Sequence, residues 1–240
     1  MYCSFDSRLY VHPLTAHNSP NLSRNLFIDG PAGKLEAVLA EPASPSPRGI
    51  SVIAHPHPLY GGTMNNKVVH TLFKSFLELE FITVKFNFRG VEQSEGPLYS
   101  GNDGLGEVED VVAVAEAVTA EYASRFDSSP PLCLAGFSFG GAIQVFAAQR
   151  LKPQQVVLVA PAVERLSAPP LSFPQDTQDV QSLPRVLIIH GDQDDVVPLK
   201  TVLDWAAPQE LPIVVVPGAE HFFHRRLHIL KRIVLDSCRP

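Results

Sequence analysis

Residues 136–140 read Gly136-Phe137-Ser138-Phe139-Gly140, a serine with a glycine two positions away on either side. A short apolar run, 131–135, precedes them, and a run of helix formers, 142–150, follows. A serine between a strand and a helix sits on a tight turn that demands strained backbone angles. Gly136 and Gly140 remove the Cβ atoms that would crowd it. The hydroxyl of Ser138 then stands above the sheet, over the N-terminus of the next helix. A serine hydroxyl is a weak nucleophile at neutral pH and needs a base to take its proton. His221, in Pro217-Gly218-Ala219-Glu220-His221-Phe222-Phe223, is the candidate base. Asp192, Asp194 and Asp195 are candidate acids, just after the apolar run 186–189. Serine, acid and histidine follow one another in the chain, each at the carboxyl end of an expected strand. Open sheets of alternating strands and helices keep their sites at those ends.

The elements that must position these residues alternate between strand and helix, which predicts a mostly parallel sheet of about eight strands with helices on both faces. A leading hairpin is expected at 25–29 and 34–40, around Gly30-Pro31-Ala32-Gly33. Further strands are expected at 50–54, 81–87, 132–135, 155–160, 186–189 and 213–216. Apolar residues at helical spacing mark 65–79, and a helix at 107–122 opens on Glu107, Glu109 and Asp110, where the helix dipole favours acids. Helices are also expected from Phe139, near 201–205, and over 222–235. The segment 161–184 holds five prolines and is too short for an inserted cap domain, so the site should be open.

The chain of 240 residues suits one α/β domain, read as 25–240 after an N-terminal arm at 1–24. The formal charge of −6 and the lack of a basic stripe argue against a nucleic-acid partner. No apolar stretch approaches the ~18 residues of a membrane span. The arm has no apolar core of a secretory signal. Cys3, Cys133 and Cys238 have no pairing pattern, which points to free thiols and a cytoplasmic setting.

Three further segments complete a resemblance. They are His55-Pro56-His57-Pro58-Leu59-Tyr60-Gly61-Gly62-Thr63-Met64-Asn65-Asn66-Lys67, Asn87-Phe88-Arg89-Gly90, and the His190-Gly191 segment that ends in Val196-Val197-Pro198. With the serine turn, they make 25–235 resemble the α/β-hydrolase superfamily, and within it the small group without a large cap domain. The resemblance implies the fold and an acyl-transfer reaction at a Ser138–His221–Asp194 triad. The spacing His-Gly-x-x-Asp-x-x-Val-Pro in relatives falls on Asp194, ahead of Asp192 and Asp195.

The oxyanion formed during attack needs two backbone N–H donors. Phe139, directly after the serine, is one. The other is expected from the loop after strand 50–54, where Pro56 and Pro58 have no N–H, leaving His57, with Leu59 as the alternative. Leu59, Tyr60, Phe137 and Phe222 are expected to line a pocket for a small acyl substrate. Arg89 is read either as a loop-pinning residue or as a contact for a substrate anion. His190 is expected to make a structural hydrogen bond. The pairs His55-x-His57 and His221-x-x-His224 lack the helical spacing of a metal site, and no phosphate-binding loop occurs, so neither metal nor cofactor is expected. The leading reading is a serine hydrolase, a carboxylesterase or thioesterase acting through an acyl-enzyme. Short-peptide amide hydrolysis and cofactor-free perhydrolase or haloperoxidase chemistry use the same triad. A non-catalytic binding protein on the same fold is the reading of another class.

Overall fold

The hairpin that begins the described structure turns on Pro31 and Ala32: β1 (Ser23–Gly30) pairs antiparallel with β2 (Gly33–Ala40), Gly30 opposite Gly33. The structure is a computed structural model, and it describes residues 23–98, 104–171 and 184–239. The expected arm, 1–24, lies outside these residues except for Ser23 and Arg24, which already belong to β1.

The remaining strands are β3 (Gly49–Ala54), β4 (Phe81–Phe86), β5 (Leu132–Phe137), β6 (Gln155–Val159), β7 (Arg185–Gly191) and β8 (Ile213–Val216). They form one eight-stranded sheet in the order β1-β2-β4-β3-β5-β6-β7-β8. From β4 to β8 every pairing is parallel, while β2 meets β4 antiparallel. Strands β3, β4 and β6 are buried along their whole length, as expected of parallel strands covered on both faces.

Helices α1 (Lys67–Glu78), α2 (Leu105–Tyr122), α3 (Phe139–Leu151), α4 (Leu199–Ala206) and α5 (Leu227–Cys238) supply that cover. Val69, Leu72 and Phe76 of α1 share one apolar cluster with Leu230 and Val234 of α5. Val111 and Val114 of α2, Ile143 of α3 and Val202 of α4 belong to the cluster on the other face. Among the described residues no helix is long and apolar enough to cross a membrane, and no cap domain is inserted.

Two expectations need correction. The last helix starts at Leu227, not at residue 222, because Phe223 and Arg225 take φ of 55° and 62°. L-residues enter that region only singly, and a helix cannot pass through it. Asp110 is also more than a helix-dipole acid. It is fully buried and takes Arg89 in a forked ion pair, with Nη2 to Oδ1 at 2.7 Å and Nε to Oδ2 at 3.0 Å. The Arg89 N–H adds a third bond to Oδ2 at 3.0 Å. Arg89 therefore pins the loop after β4 to α2. Cys133 and Cys238 are free and buried, and Cys3 lies outside the described residues.

Candidate active site

Ser138 takes φ 56° and ψ −118°, the one break between β5 and α3. Tertiary contact explains why this strain is held. A Cβ at Gly136 would stand 2.4 Å from the Gly140 carbonyl oxygen, and one at Gly140 would stand 2.4 Å from that of His55. The serine backbone is tied as well: its N–H donates to Val159 O at 2.9 Å, and its carbonyl accepts from Ala162 at 3.0 Å. The turn is thus clamped between the ends of β3 and β6, and the side chain is directed out of the sheet.

His221 follows β8, and its Nε2 lies 3.0 Å from Ser138 Oγ. Its Nδ1 lies 2.7 Å from Asp194 Oδ2. A proton on Nδ1, directed at the carboxylate, would leave Nε2 with its lone pair facing the serine hydroxyl. Phe137 and Phe222 flank the imidazole, with ring centroids 4.8 and 5.0 Å away.

Asp194 follows β7 and turns back into it. Oδ1 accepts the N–H groups of Val196 and Val197 at 3.0 and 2.7 Å. Burial raises the cost of its charge, but the bonds from His221 and Val197 outweigh that and hold the carboxyl below its ordinary value. His190, four residues earlier in β7, bonds the Val197 carbonyl through Nε2 at 2.9 Å and lies 3.4 Å from Asp194 Oδ2. Of the other two acids, Asp192 accepts from the Gly218 N–H, and Asp195 is exposed.

The loop after β3 forms the facing wall. His55 is fully buried: Nδ1 donates to the Pro56 carbonyl at 2.6 Å, and Nε2 accepts from the Phe88 N–H at 3.1 Å. Both ring nitrogens are therefore committed within the fold. His57 presents its ring to Phe139, and its Nδ1 accepts from the Leu59 N–H at 3.2 Å. Gln144 of α3, fully buried, donates through Nε2 to the carbonyls of Val52 in β3 and Ala135 in β5, both at 3.0 Å. One amide thus ties the strand that leads to this loop to the strand that leads to Ser138.

Ser138 and His221 open on a cavity of about 560 Å³, whose described lining also includes His57, Tyr60, Asn66, Phe139, Arg165 and Phe222. That volume suits a small organic ligand. Two expected wall residues are elsewhere. Phe137 is fully buried beneath His221, because the last residue of a strand covered on both faces has no solvent side. Leu59 is exposed outside the lining. Asn66 and Arg165 are lining residues that sequence reasoning missed. Arg165 stands in the turn after β6, a strand end that points to the site like its neighbours. Among the described residues no group of three or more His, Cys, Asp or Glu is placed to hold a metal ion.

Residues 45–183 match the family described as serine aminopeptidase, S33. An α/β serine hydrolase homologue from Coxiella burnetii is 39% identical and superposes with a TM-score of 0.77, covering 90% of this chain and 97% of that one. An α/β serine hydrolase without a lid from Xanthomonas campestris is 35% identical with a TM-score of 0.74, covering 94% and 96%. An uncharacterized protein of Rickettsia prowazekii is 27% identical over 219 residues, 88% of this chain and 87% of that one. The chain belongs to the α/β-hydrolase superfamily of serine hydrolases, in the family of the S33 description.

Proposed function

We propose that the protein hydrolyses small carboxylic esters or thioesters through an acyl-enzyme on Ser138. The observation that carries this reading is the unbroken line Asp194 Oδ2–His221 Nδ1, His221 Nε2–Ser138 Oγ, at 2.7 and 3.0 Å, ending in an open cavity. In the first step Oγ attacks the acyl carbon while Nε2 takes its proton. Asp194 holds the imidazole in the required tautomer and stabilises the imidazolium. His221 then returns the proton to the departing alkoxide or thiolate. Water, activated by the same nitrogen, releases the acid and restores Ser138.

The developing oxyanion is assigned to the backbone N–H groups of Phe139 and His57. The Leu59 N–H is already engaged, bonding His57 Nδ1 within its own loop. Tyr60 and Phe222, on the cavity wall, are assigned to the apolar part of the substrate.

The family description names an aminopeptidase, which suggests short-peptide amides as a second substrate class. Such an enzyme must pair the substrate's free ammonium group, and no Asp or Glu stands among the described lining residues. This favours the ester reading.

The test is labelling with a fluorophosphonate probe, followed by turnover of p-nitrophenyl esters of rising chain length. Labelling and turnover are expected in the wild type and lost in Ser138→Ala. Ester turnover that persists in Ser138→Ala would remove the nucleophile assignment.

A further inference from the structure

Among the described residues lining the cavity, Arg165 is the one with a permanent charge, and none is a carboxylate. The protein as a whole is acidic, at −6, so a lone cation on the cavity wall is not explained by composition. Arg165 is also held in place. It lies three positions after Ala162, whose N–H bonds the Ser138 carbonyl at 3.0 Å. One Nη donates to the Val196 carbonyl at 2.6 Å, and Val196 in turn donates to Asp194 Oδ1. The side chain therefore bridges the segment behind the nucleophile and the segment that carries the acid.

No carboxylate among the described residues pairs with it. A guanidinium has five N–H donors in a planar fork, and one bond to a carbonyl leaves a face for a bidentate anion. Its charge also reaches into the cavity. Burial first, and the Arg165 charge second, lower the tendency of His57 to protonate.

We propose that Arg165 is a specificity-determining residue, and that the preferred substrate is an ester or thioester bearing a carboxylate on the acyl chain or on the leaving group. The Val196 carbonyl tethers one Nη of the guanidinium, and the substrate anion takes the remaining N–H groups. The proposal rests on the hydrolase reading above. A loop clip between Arg165 and Val196 is the competing role, and it would affect all substrates alike.

Three substrates separate these roles: neutral p-nitrophenyl butyrate, p-nitrophenyl hemiglutarate with the anion on the acyl side, and 4-(butyryloxy)benzoate with it on the leaving group. In Arg165→Gln, kcat/KM for one anionic ester is expected to fall about tenfold or more, chiefly through KM, as befits loss of one charge-assisted pair. The neutral ester should change by less than about threefold, and Arg165→Lys should restore part of the loss, since a lysine keeps the charge without the fork. The anionic ester that responds identifies the side. Equal losses on all three substrates, or no loss on either anionic one, would overturn the proposal.

Absence of Ser138-dependent turnover of any ester would instead count against the hydrolase reading. In that event calorimetry of monomethyl glutarate decides the anion site. Binding to Ser138→Ala that weakens about tenfold in Ser138→Ala/Arg165→Gln supports it, and unchanged or absent binding overturns it.

Discussion

The imidazole of His57 packs against the ring of Phe139, with centroids 4.7 Å apart and planes tilted by 50°. The contact joins the loop after β3 to the first turn of α3, the two segments assigned to the oxyanion. The φ of His57 is −57°, the angle a proline ring imposes. His57→Pro should therefore delete the N–H at little backbone cost and lower kcat by roughly 10²–10³. His57→Ala keeps the backbone N–H and loses the imidazole, with its contact to Phe139 and its bond from the Leu59 N–H, as the proline variant also does, and about tenfold or less is expected. Steady-state kinetics on a common ester, with thermal melts as a folding control, compare the two. Equal effects would move the second donor elsewhere.

Asp194→Asn should retain the fold but favour the wrong imidazole tautomer, at a cost on the order of 10⁴ in kcat. Asp192→Asn and Asp195→Asn should cost about tenfold or less, since they act only through the loop or its field. The same ester assay ranks the three. A larger loss at Asp192 would reassign the acid.

Ser138→Ala and His221→Ala should each lower turnover by a factor on the order of 10⁶, and the double variant should be no worse than either. In the proposed mechanism the two groups pass one proton between them, so removing either removes the step. Single-turnover measurement of the three variants gives the comparison.

His55 supplies a pH test of stability. Burial, against the raising effect of its bond to the Pro56 carbonyl, pushes its pKa down to about 4 from an ordinary 6.5. Between those values the unfolded chain binds a proton that the folded chain refuses. Stability from this residue is thus complete above pH ~6.5 and falls by about 3 kcal/mol as the pH drops to ~4. His190, also lowered chiefly by burial, adds a loss of the same sign. Urea titrations across this range should show a steeper fall for the wild type than for His55→Gln. Parallel curves would mean that His55 is accessible to protons in the folded state.

Asp110→Ala should destabilise the protein by roughly 3–5 kcal/mol, the usual effect of stranding one partner of a buried ion pair. The kcat of the folded fraction should hold, because Arg89 serves the loop and α2 rather than the substrate. Denaturation and kinetics on the same preparation separate the two effects.

Ser138, His221 and the acid segment were legible because tight-turn chemistry and strand ends leave local marks: glycines that make room, apolar runs, and a Val-Pro anchor. Phe137, expected on the pocket wall, lies buried beneath His221 instead, because a strand buried on both faces has no alternation to say which way a ring points. The start of α5 differs from the expectation because Phe222 to Leu235 has helical apolar spacing, while in the structure Phe223 and Arg225 take positive φ and the Glu220 carboxylate accepts the N–H groups of Phe222 and His224. Arg165 follows a strand end, but the proline-rich stretch around it carries no pattern that singles out one residue for the site. Its position depends on the long-range bond from Ala162 to Ser138 and the carbonyl of Val196, neither of which has a sequence period.

The two hydrogen bonds that Gln144 donates to the carbonyls of Val52 and Ala135 have a consequence for how such an uncapped hydrolase keeps its shape. In lidded enzymes the alignment of reacting groups is completed when a moving piece closes. Here the spacing between the two chain segments assigned to the oxyanion is set from underneath, by an amide sealed in the core. On that assignment the two segments are held together before any substrate arrives, and changes in the cavity lining at Tyr60 and Phe222 leave the buried tie untouched.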